Sequence, residues 1–199
     1  MKYIPEKHHR HSIRLKGYDY SQPGAYFITI CTHNREYLFG DVVNGKMTLN
    51  ECGKLIEFTW YDLPNHNPHI ALDTFTIMPN HIHGIVNIYD VIIVGAGSEP
   101  ATTTTIRRGL PEIVRQFKTF SSKRINQINQ TPGAPMWQRN YYEHIIRNED
   151  ELNRVREYIL NNPLQWEFDR ENHVGAYRNM TLQNNKWQSL EGKIYGKTK

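Results

Sequence analysis

Four stretches of the chain have the composition of β-strands, since β-branched and aromatic residues are concentrated in them. They are residues 25–32, 72–78, 81–88 and 136–146. Pro79-Asn80 predicts a tight connection between the second and third of these strands. A smaller hairpin is predicted over residues 37–49, where Asn44-Gly45 separates two short apolar runs.

Three other stretches repeat their apolar residues at helical spacing, which predicts helices. The first covers residues 51–63, with Asn50 as its N-cap and Pro64 as its end. The second begins at Leu110 and stops before Thr131-Pro132-Gly133, and the third covers residues 150–162. Residues 90–108 show neither periodicity and are expected to form a flexible loop.

The predicted order is β-α-β-β-α-β followed by one more helix. This order favours an α+β fold of the ferredoxin-like (RRM-like) type, an antiparallel sheet with helices on one face. The other face of the sheet is left available for a ligand. We expect an N-terminal arm over residues 1–20, one domain over residues 21–166 and a polar extension over residues 167–199. The fold by itself implies no activity.

Composition and charge narrow the class of protein. The chain has 199 residues and a formal net charge of +4, with basic residues clustered at the N-terminus and over residues 107–124. Such clusters suit a polyanionic partner, although they are also typical of solvated surfaces. Cys31 and Cys52 have no metal-like spacing, which favours free thiols in a reducing compartment. No segment resembles a signal peptide or a membrane span, so a soluble cytoplasmic protein is expected.

His81-Ile82-His83 is the first candidate for chemistry. In a strand, residues i and i+2 point to the same face, so both imidazoles project together. Two converging imidazoles can bind a divalent ion that polarises a phosphate oxygen. Taken alone, the spacing also fits two histidines that only hydrogen-bond to their neighbours.

Tyr158 and Asn162 are the second candidate, because they lie at i and i+4 on the last predicted helix and share a face. A phenol, with a pKa of about 10, is a weak nucleophile near neutral pH unless a metal or a base assists it. An amide oxygen from Asn162 could bind the same metal. A half-buried tyrosine and a capping asparagine give the same pattern without any chemistry.

Separate blocks of the sequence together resemble one known family. Residues 75–86 (FTIMPNHIHGIV) closely resemble the histidine–hydrophobe–histidine motif of HUH single-strand endonucleases. Residues 137–147 (WQRNYYEHIIR) and 158–163 (YILNNP) resemble the downstream signature of REP-associated tyrosine transposases, the single-tyrosine (IS200-like) members of that superfamily. Residues 26–32 and 115–124 are similar to the intervening segments. The resemblance covers residues 24–166, with the blocks in the family's order.

This resemblance implies roles for individual residues. His81 and His83 match the metal-binding histidines, Tyr158 matches the nucleophile, and Asn162 matches a third metal ligand that is Gln in many relatives. The implied cofactor is Mg²⁺ or Mn²⁺, of which Mn²⁺ is the better partner for imidazole. The implied reaction nicks and rejoins single-stranded DNA through a 5′-phosphotyrosine.

Tyr141 and Tyr142 are alternative nucleophiles, because they lie within one of the matching blocks. On an alternating strand, only one of them can share a face with His144. His144 and Glu143 are further candidates. His144 in particular could orient DNA or carry a proton, although a packed strand histidine fits equally well.

The resemblance also implies the partner, which is single-stranded DNA that forms hairpins from palindromic repeats. Phosphate contacts are expected from basic side chains of the arm, of the second helix and of the fourth strand. These residues are Arg14, Arg115, Lys118, Lys123, Arg124 and Arg139. Aromatic rings near the sheet could stack on unpaired bases. Both a monomer and a homodimer are compatible with the sequence.

Other functions fit the same predicted fold. A non-catalytic nucleic-acid-binding module would not need His81 or Tyr158 for its activity. A metal-dependent phosphodiesterase that uses water would cut DNA without becoming linked to it. A replication initiator or relaxase of the same superfamily is disfavoured, because the sequence has neither a helicase-like segment nor a third motif histidine.

Overall fold

The computed structural model describes residues 15, 17–90, 92–94, 103–105 and 108–168. Eight strands lie in this part of the chain: β1 (Gly24–Cys31), β2 (Gly40–Val43), β3 (Lys46–Leu49), β4 (Ile70–Met78), β5 (His81–Ile88), β6 (Ile92–Val94), β7 (Thr103–Thr105) and β8 (Tyr142–Ile146). The α-helices are α1 (Glu51–Tyr61), α2 (Leu63–His66), α3 (Leu110–Ile128) and α4 (Glu149–Asn161). Short 3-10 turns cover His33–Arg35 and Pro163–Phe168.

The main sheet has four strands in the order β4-β5-β1-β8, and all neighbouring strands are antiparallel. This arrangement confirms the predicted ferredoxin-like α+β fold. The observed β5 has the predicted bounds, and β1 and β4 differ from prediction by one or two residues at their ends. Asn44 and Gly45 both have positive φ in the turn between β2 and β3, as the predicted hairpin requires.

One face of the sheet packs against α1 and α3 and forms an apolar core. Alternate residues of the central strands point into it, including Ile28 and Ile82, and they meet Trp60 of α1 and Phe117 of α3. Gly84 of β5 permits a close approach of α1, because a Cβ there would lie 2.5 Å from the indole of Trp60. The stability of the fold therefore depends chiefly on this face.

The opposite face of the sheet carries α4. Phe27 and Ile85 of the sheet pack there against Val155, Tyr158 and Ile159. Asn148 caps the helix, since its side chain accepts a hydrogen bond from the backbone N–H of Glu151. The extra helix predicted from the sequence therefore covers the face of the sheet that was expected to be available for a ligand.

Three details of the structure differ from prediction. Pro64 does not end the first helix but lies in the first turn of α2, where its missing N–H costs no hydrogen bond. The fourth strand starts at Tyr142 rather than at residue 136, because only a single bridge from Trp137 to Thr32 precedes it. Residues 92–94 and 103–105, within the predicted loop, pair as a two-stranded ribbon. Of the other loop residues, the structure describes only 90 and 108.

Candidate active site

His81 and His83 project side by side from β5 on the face covered by α4. Both side chains are buried, and their Nε2 atoms lie 3.0 Å apart. Ile82 between them points into the apolar core on the other face. The predicted alternation of these three residues is therefore confirmed.

Hydrogen bonds to the far nitrogen of each ring orient the histidine pair. The Asn80 amide nitrogen donates to the carbonyl of Arg35, which leaves its Oδ1 to accept from His81 Nδ1 at 2.8 Å. With the Asn80 amide in this orientation, the matching tautomer of His81 has its hydrogen on Nδ1 and a lone pair at Nε2. His83 Nδ1 lies 2.8 Å from the Thr29 hydroxyl on β1, which can accept its hydrogen in the same way. Both Nε2 atoms can then act as ligands at a common point.

Tyr158 reaches this point from α4. Its hydroxyl lies 3.5 Å from His83 Nε2, and its ring packs edge-on against His83 and Phe27. The side chain is 6% exposed. Helix α4 and strand β5 thus bring together a phenol and two imidazoles from positions 75 residues apart in the sequence.

Asn162 lies one helical turn beyond Tyr158 and caps α4 at its C-terminus. Its side chain is buried, and its Oδ1 accepts no hydrogen bond from any residue that the structure describes. A buried acceptor without a donor is unfavourable unless a cation or water occupies the adjacent space.

This set of donors fits a divalent ion. Two nitrogens that bind one ion at about 2.1 Å are separated by roughly 3 Å when they occupy adjacent positions, which agrees with the observed spacing. If the two imidazoles and the Asn162 oxygen held such an ion, it would have ligand positions left for other oxygen donors. Within the described part of the chain, no group of three or more His, Cys, Asp or Glu side chains could hold a metal.

The candidate site is closed to solvent in this conformation. Trp166, from the turn that follows α4, packs between Tyr37 and His81, with ring centroids 5.7 and 6.0 Å away. It is itself 8% exposed. The two histidines are shielded from solvent as long as this turn and α4 keep their positions.

The alternative catalytic candidates lie on two different faces of the sheet. Tyr142 packs against Phe27 on the histidine side, whereas Tyr141 packs against the apolar core. His144 shares the face of Tyr142, and its Nε2 lies 2.8 Å from a Glu151 carboxylate oxygen on α4. Glu143 pairs with Ile28 and lies on the opposite face, away from the histidines.

The structure places several of the predicted DNA-binding side chains in contacts within the chain. Arg115 pairs with Glu112, and Arg124 pairs with Asp62 at 2.9 Å. Burial lowers the pKa of Lys118 to about 8, and its ammonium donates to the carbonyls of Gln138 and Asn140. The other three are Lys123 and Arg139, which are exposed, and Arg14, which lies outside the described residues.

The sequence did not identify the partners that orient the site. Asn80 was noted only for its turn, although its position next to His81 was a usable signal. Thr29 and Trp166 had no distinguishing pattern, because their roles arise from pairing between strands and from the course of the chain after α4.

The chain is similar to known proteins both in sequence and in structure. The chain is 42% identical over 176 residues to an uncharacterised protein of Haemophilus influenzae, covering 85% of this chain and 96% of the relative. It is 25% identical over 147 residues to a second protein of that organism, named a putative REP-associated tyrosine transposase, covering 74% of each. No family model matches the chain.

A solved structure supports the fold. The structure of a REP-associated tyrosine transposase bound to a REP hairpin superimposes with a TM-score of 0.54 at 16% identity, covering 79% of this chain and 77% of that one. None of the helices in the described part of the chain combines the length and the apolar composition of a membrane-spanning segment. The chain belongs to one family with the 42% identical Haemophilus protein, and its recognition as a relative of the REP-associated tyrosine transposases is confirmed.

Proposed function

We propose that this protein is a transposase that nicks and rejoins single-stranded DNA at hairpins formed by palindromic repeats, with Tyr158 as its nucleophile. The observation that carries the proposal is the convergence of the Tyr158 hydroxyl on the His81–His83 pair, 3.5 Å from His83 Nε2. Similarity to transposases supports a DNA-cleaving enzyme, and the structural relative bound to a REP hairpin supports the class of substrate.

In the proposed reaction, the Tyr158 oxygen attacks the scissile phosphorus and loses its proton. A bond from tyrosine to the 5′ phosphate forms, the bond from phosphorus to the 3′ oxygen breaks, and that oxygen leaves as a hydroxyl after it gains a proton. Attack by another 3′ hydroxyl reverses these changes and joins a new strand. One phosphodiester replaces another, so the exchange needs no nucleotide cofactor.

His81, His83 and Asn162 would hold a divalent ion, with Mn²⁺ the first to test. A bound ion supplies positive charge next to the scissile phosphate and so stabilises the charge that develops there. The role of this chain is to keep the ligands oriented, through Asn80 and Thr29, and to present the phenol to the same point.

The test is to incubate the protein with Mn²⁺ and a labelled hairpin oligonucleotide and to look for a protein–DNA species on a denaturing gel. We expect Tyr158→Phe to lower the yield of this species by at least about a thousandfold, since a single nucleophile is removed. Tyr142→Phe, on the same face of the sheet, is the matched control and should retain it. Cleavage by Tyr158→Phe would refute the assignment.

Two other functions are outcomes of the same experiment. Nicking without a covalent species would identify a phosphodiesterase that uses water. Tight hairpin binding with neither nicking nor linkage, unchanged in Tyr158→Phe, would identify a non-catalytic binding module. The burial of Tyr158 beside two oriented imidazoles favours the transposase over both.

A further inference from the structure

We propose that Asp73 and Arg156 are positioning residues that hold Tyr158 over the histidine pair. The proposal rests on the proposed function and extends it to residues that do not touch the reacting groups. It follows from the way α4 is fixed across the sheet.

Arg156 links α4 to strand β4 at two points. Its Nε and Nη2 atoms donate to the two carboxylate oxygens of Asp73 on β4, at 3.0 and 2.7 Å. This two-point geometry fixes the orientation of the guanidinium as well as its distance. Because Arg156 precedes Tyr158 by two residues, the link acts on the turn of helix that carries the phenol.

The main chain of β4 is shaped to present Asp73. The pairing with β5 shifts by one residue between Leu72 and Phe75, so that two residues of β4 stand opposite Ile85. Such a bulge redirects side chains at a strand edge. The backbone N–H and the hydroxyl of Thr74 both donate to Asp73 Oδ1. The carboxylate is therefore oriented on its own strand and is also paired with α4.

A second link holds the other end of the helix. Glu151, in the first turn of α4, contacts His144 Nε2 at 2.8 Å on β8 and accepts a hydrogen bond from the backbone N–H of Arg147. Strands β4 and β8 are the two edges of the sheet. Helix α4 is thus tied to both edges, while Tyr158 lies above Phe27 and His83 on the two central strands.

This arrangement has a consequence for catalysis. A displacement of a reacting group by about 1 Å can lower a rate by roughly a hundredfold without affecting the binding of substrate. Asp73 and Arg156 hold α4 in place against β4. We therefore expect the turn that carries Trp166, and not α4, to move when DNA enters the site. The role assigned to His144 is likewise that of a tether, since its Nε2 is engaged by Glu151.

The test measures adduct formation at saturating hairpin DNA, the hairpin affinity and hydrogen–deuterium exchange in α4. We expect Asp73→Asn and Arg156→Gln to slow adduct formation by about 10–100-fold, leave the affinity unchanged and speed exchange in residues 155–161. Arg156→Lys, which keeps the positive charge but cannot form both hydrogen bonds to the carboxylate, should recover part of the rate. Glu149→Gln is the control, because it removes an exposed carboxylate that contacts the same guanidinium at 3.3 Å.

The outcomes separate this proposal from the proposed function. If the unmodified protein forms no adduct, the transposase assignment fails, and the tether is judged by the exchange of α4 alone. Unchanged exchange in Asp73→Asn and Arg156→Gln would overturn the tether. So would an adduct rate that is unchanged or increased, or a loss of rate explained wholly by weaker DNA binding.

Discussion

The two faces of the central sheet are built from alternate residues of the same strands, yet they differ in chemistry. The face under α1 and α3 is filled with interlocking aromatic and aliphatic side chains such as Trp60 and Phe117. The face under α4 combines a smaller apolar cluster with two buried imidazoles, a phenol and an amide oxygen to which no described residue donates a hydrogen bond. A polar interior of this kind stabilises a fold less than an apolar one does, so its presence indicates function.

The largest effect on adduct formation and on Mn²⁺ binding is expected from replacing a histidine of the pair. His83→Ala should abolish both the covalent adduct and the stabilisation by Mn²⁺, which amounts to about 2.7 kcal/mol for a wild-type site at a hundred times its Kd. Thermal unfolding with and without Mn²⁺ measures the second effect. His69→Ala is the control, because His69 is equally buried but lies outside the pair and contacts the Arg108 carbonyl. Equal Mn²⁺ stabilisation in His83→Ala and the wild type would contradict the metal assignment.

Replacing Ile82, next to His83 but on the other face of the sheet, is expected to lower stability and leave Mn²⁺ binding intact. Ile82→Ala should lower the free energy of unfolding by about 2–5 kcal/mol, because it leaves a cavity in the fully buried core under α1 and α3. Urea denaturation gives this value. The variant should retain Mn²⁺ stabilisation and adduct formation under conditions in which it remains folded. A loss of Mn²⁺ binding in folded Ile82→Ala would show that the two faces are not independent.

The smallest effect is expected from the pH dependence of stability. The side-chain hydrogen bond from Arg156 lowers the pKa of Asp73 to about 2, so the unfolded state binds the proton more readily than the folded state. The contribution of this pair is therefore present above about pH 4 and lost as the pH falls towards 2. Urea denaturation across this range should show a shallower acid loss in Asp73→Asn than in the wild type. An identical pH profile would show that the pair adds nothing to stability.

Features that depend on local geometry could be predicted from the sequence, whereas those that depend on tertiary packing could not. The alternation in His81-Ile82-His83 and the turn at Asn44-Gly45 depend on local geometry, and the structure confirms both. The start of the fourth strand was predicted too early, because buried Met136 and Trp137 resemble strand residues although they pack from an irregular segment. Tertiary packing decides such positions, and a local pattern does not contain it.

The same limit applies to the candidate site. Tyr158 and Asn162 could be paired by helical spacing, and a resemblance to a family joined them to the histidines. The link between Asp73 and Arg156 crosses 83 residues, and neither residue has a local signal. The bulge that orients Asp73 arises from a shift in strand pairing, which apolar periodicity does not reveal.

Locating the covalent bond tests directly whether Tyr158 is the nucleophile. After reaction of the wild-type protein with hairpin DNA and Mn²⁺, the DNA is digested with nuclease and the protein with trypsin, and the modified peptide is sequenced by mass spectrometry. We expect a nucleotide joined through its 5′ phosphate to Tyr158. A nucleotide on Tyr141 or Tyr142, or cleaved DNA with no modified tyrosine, would contradict it.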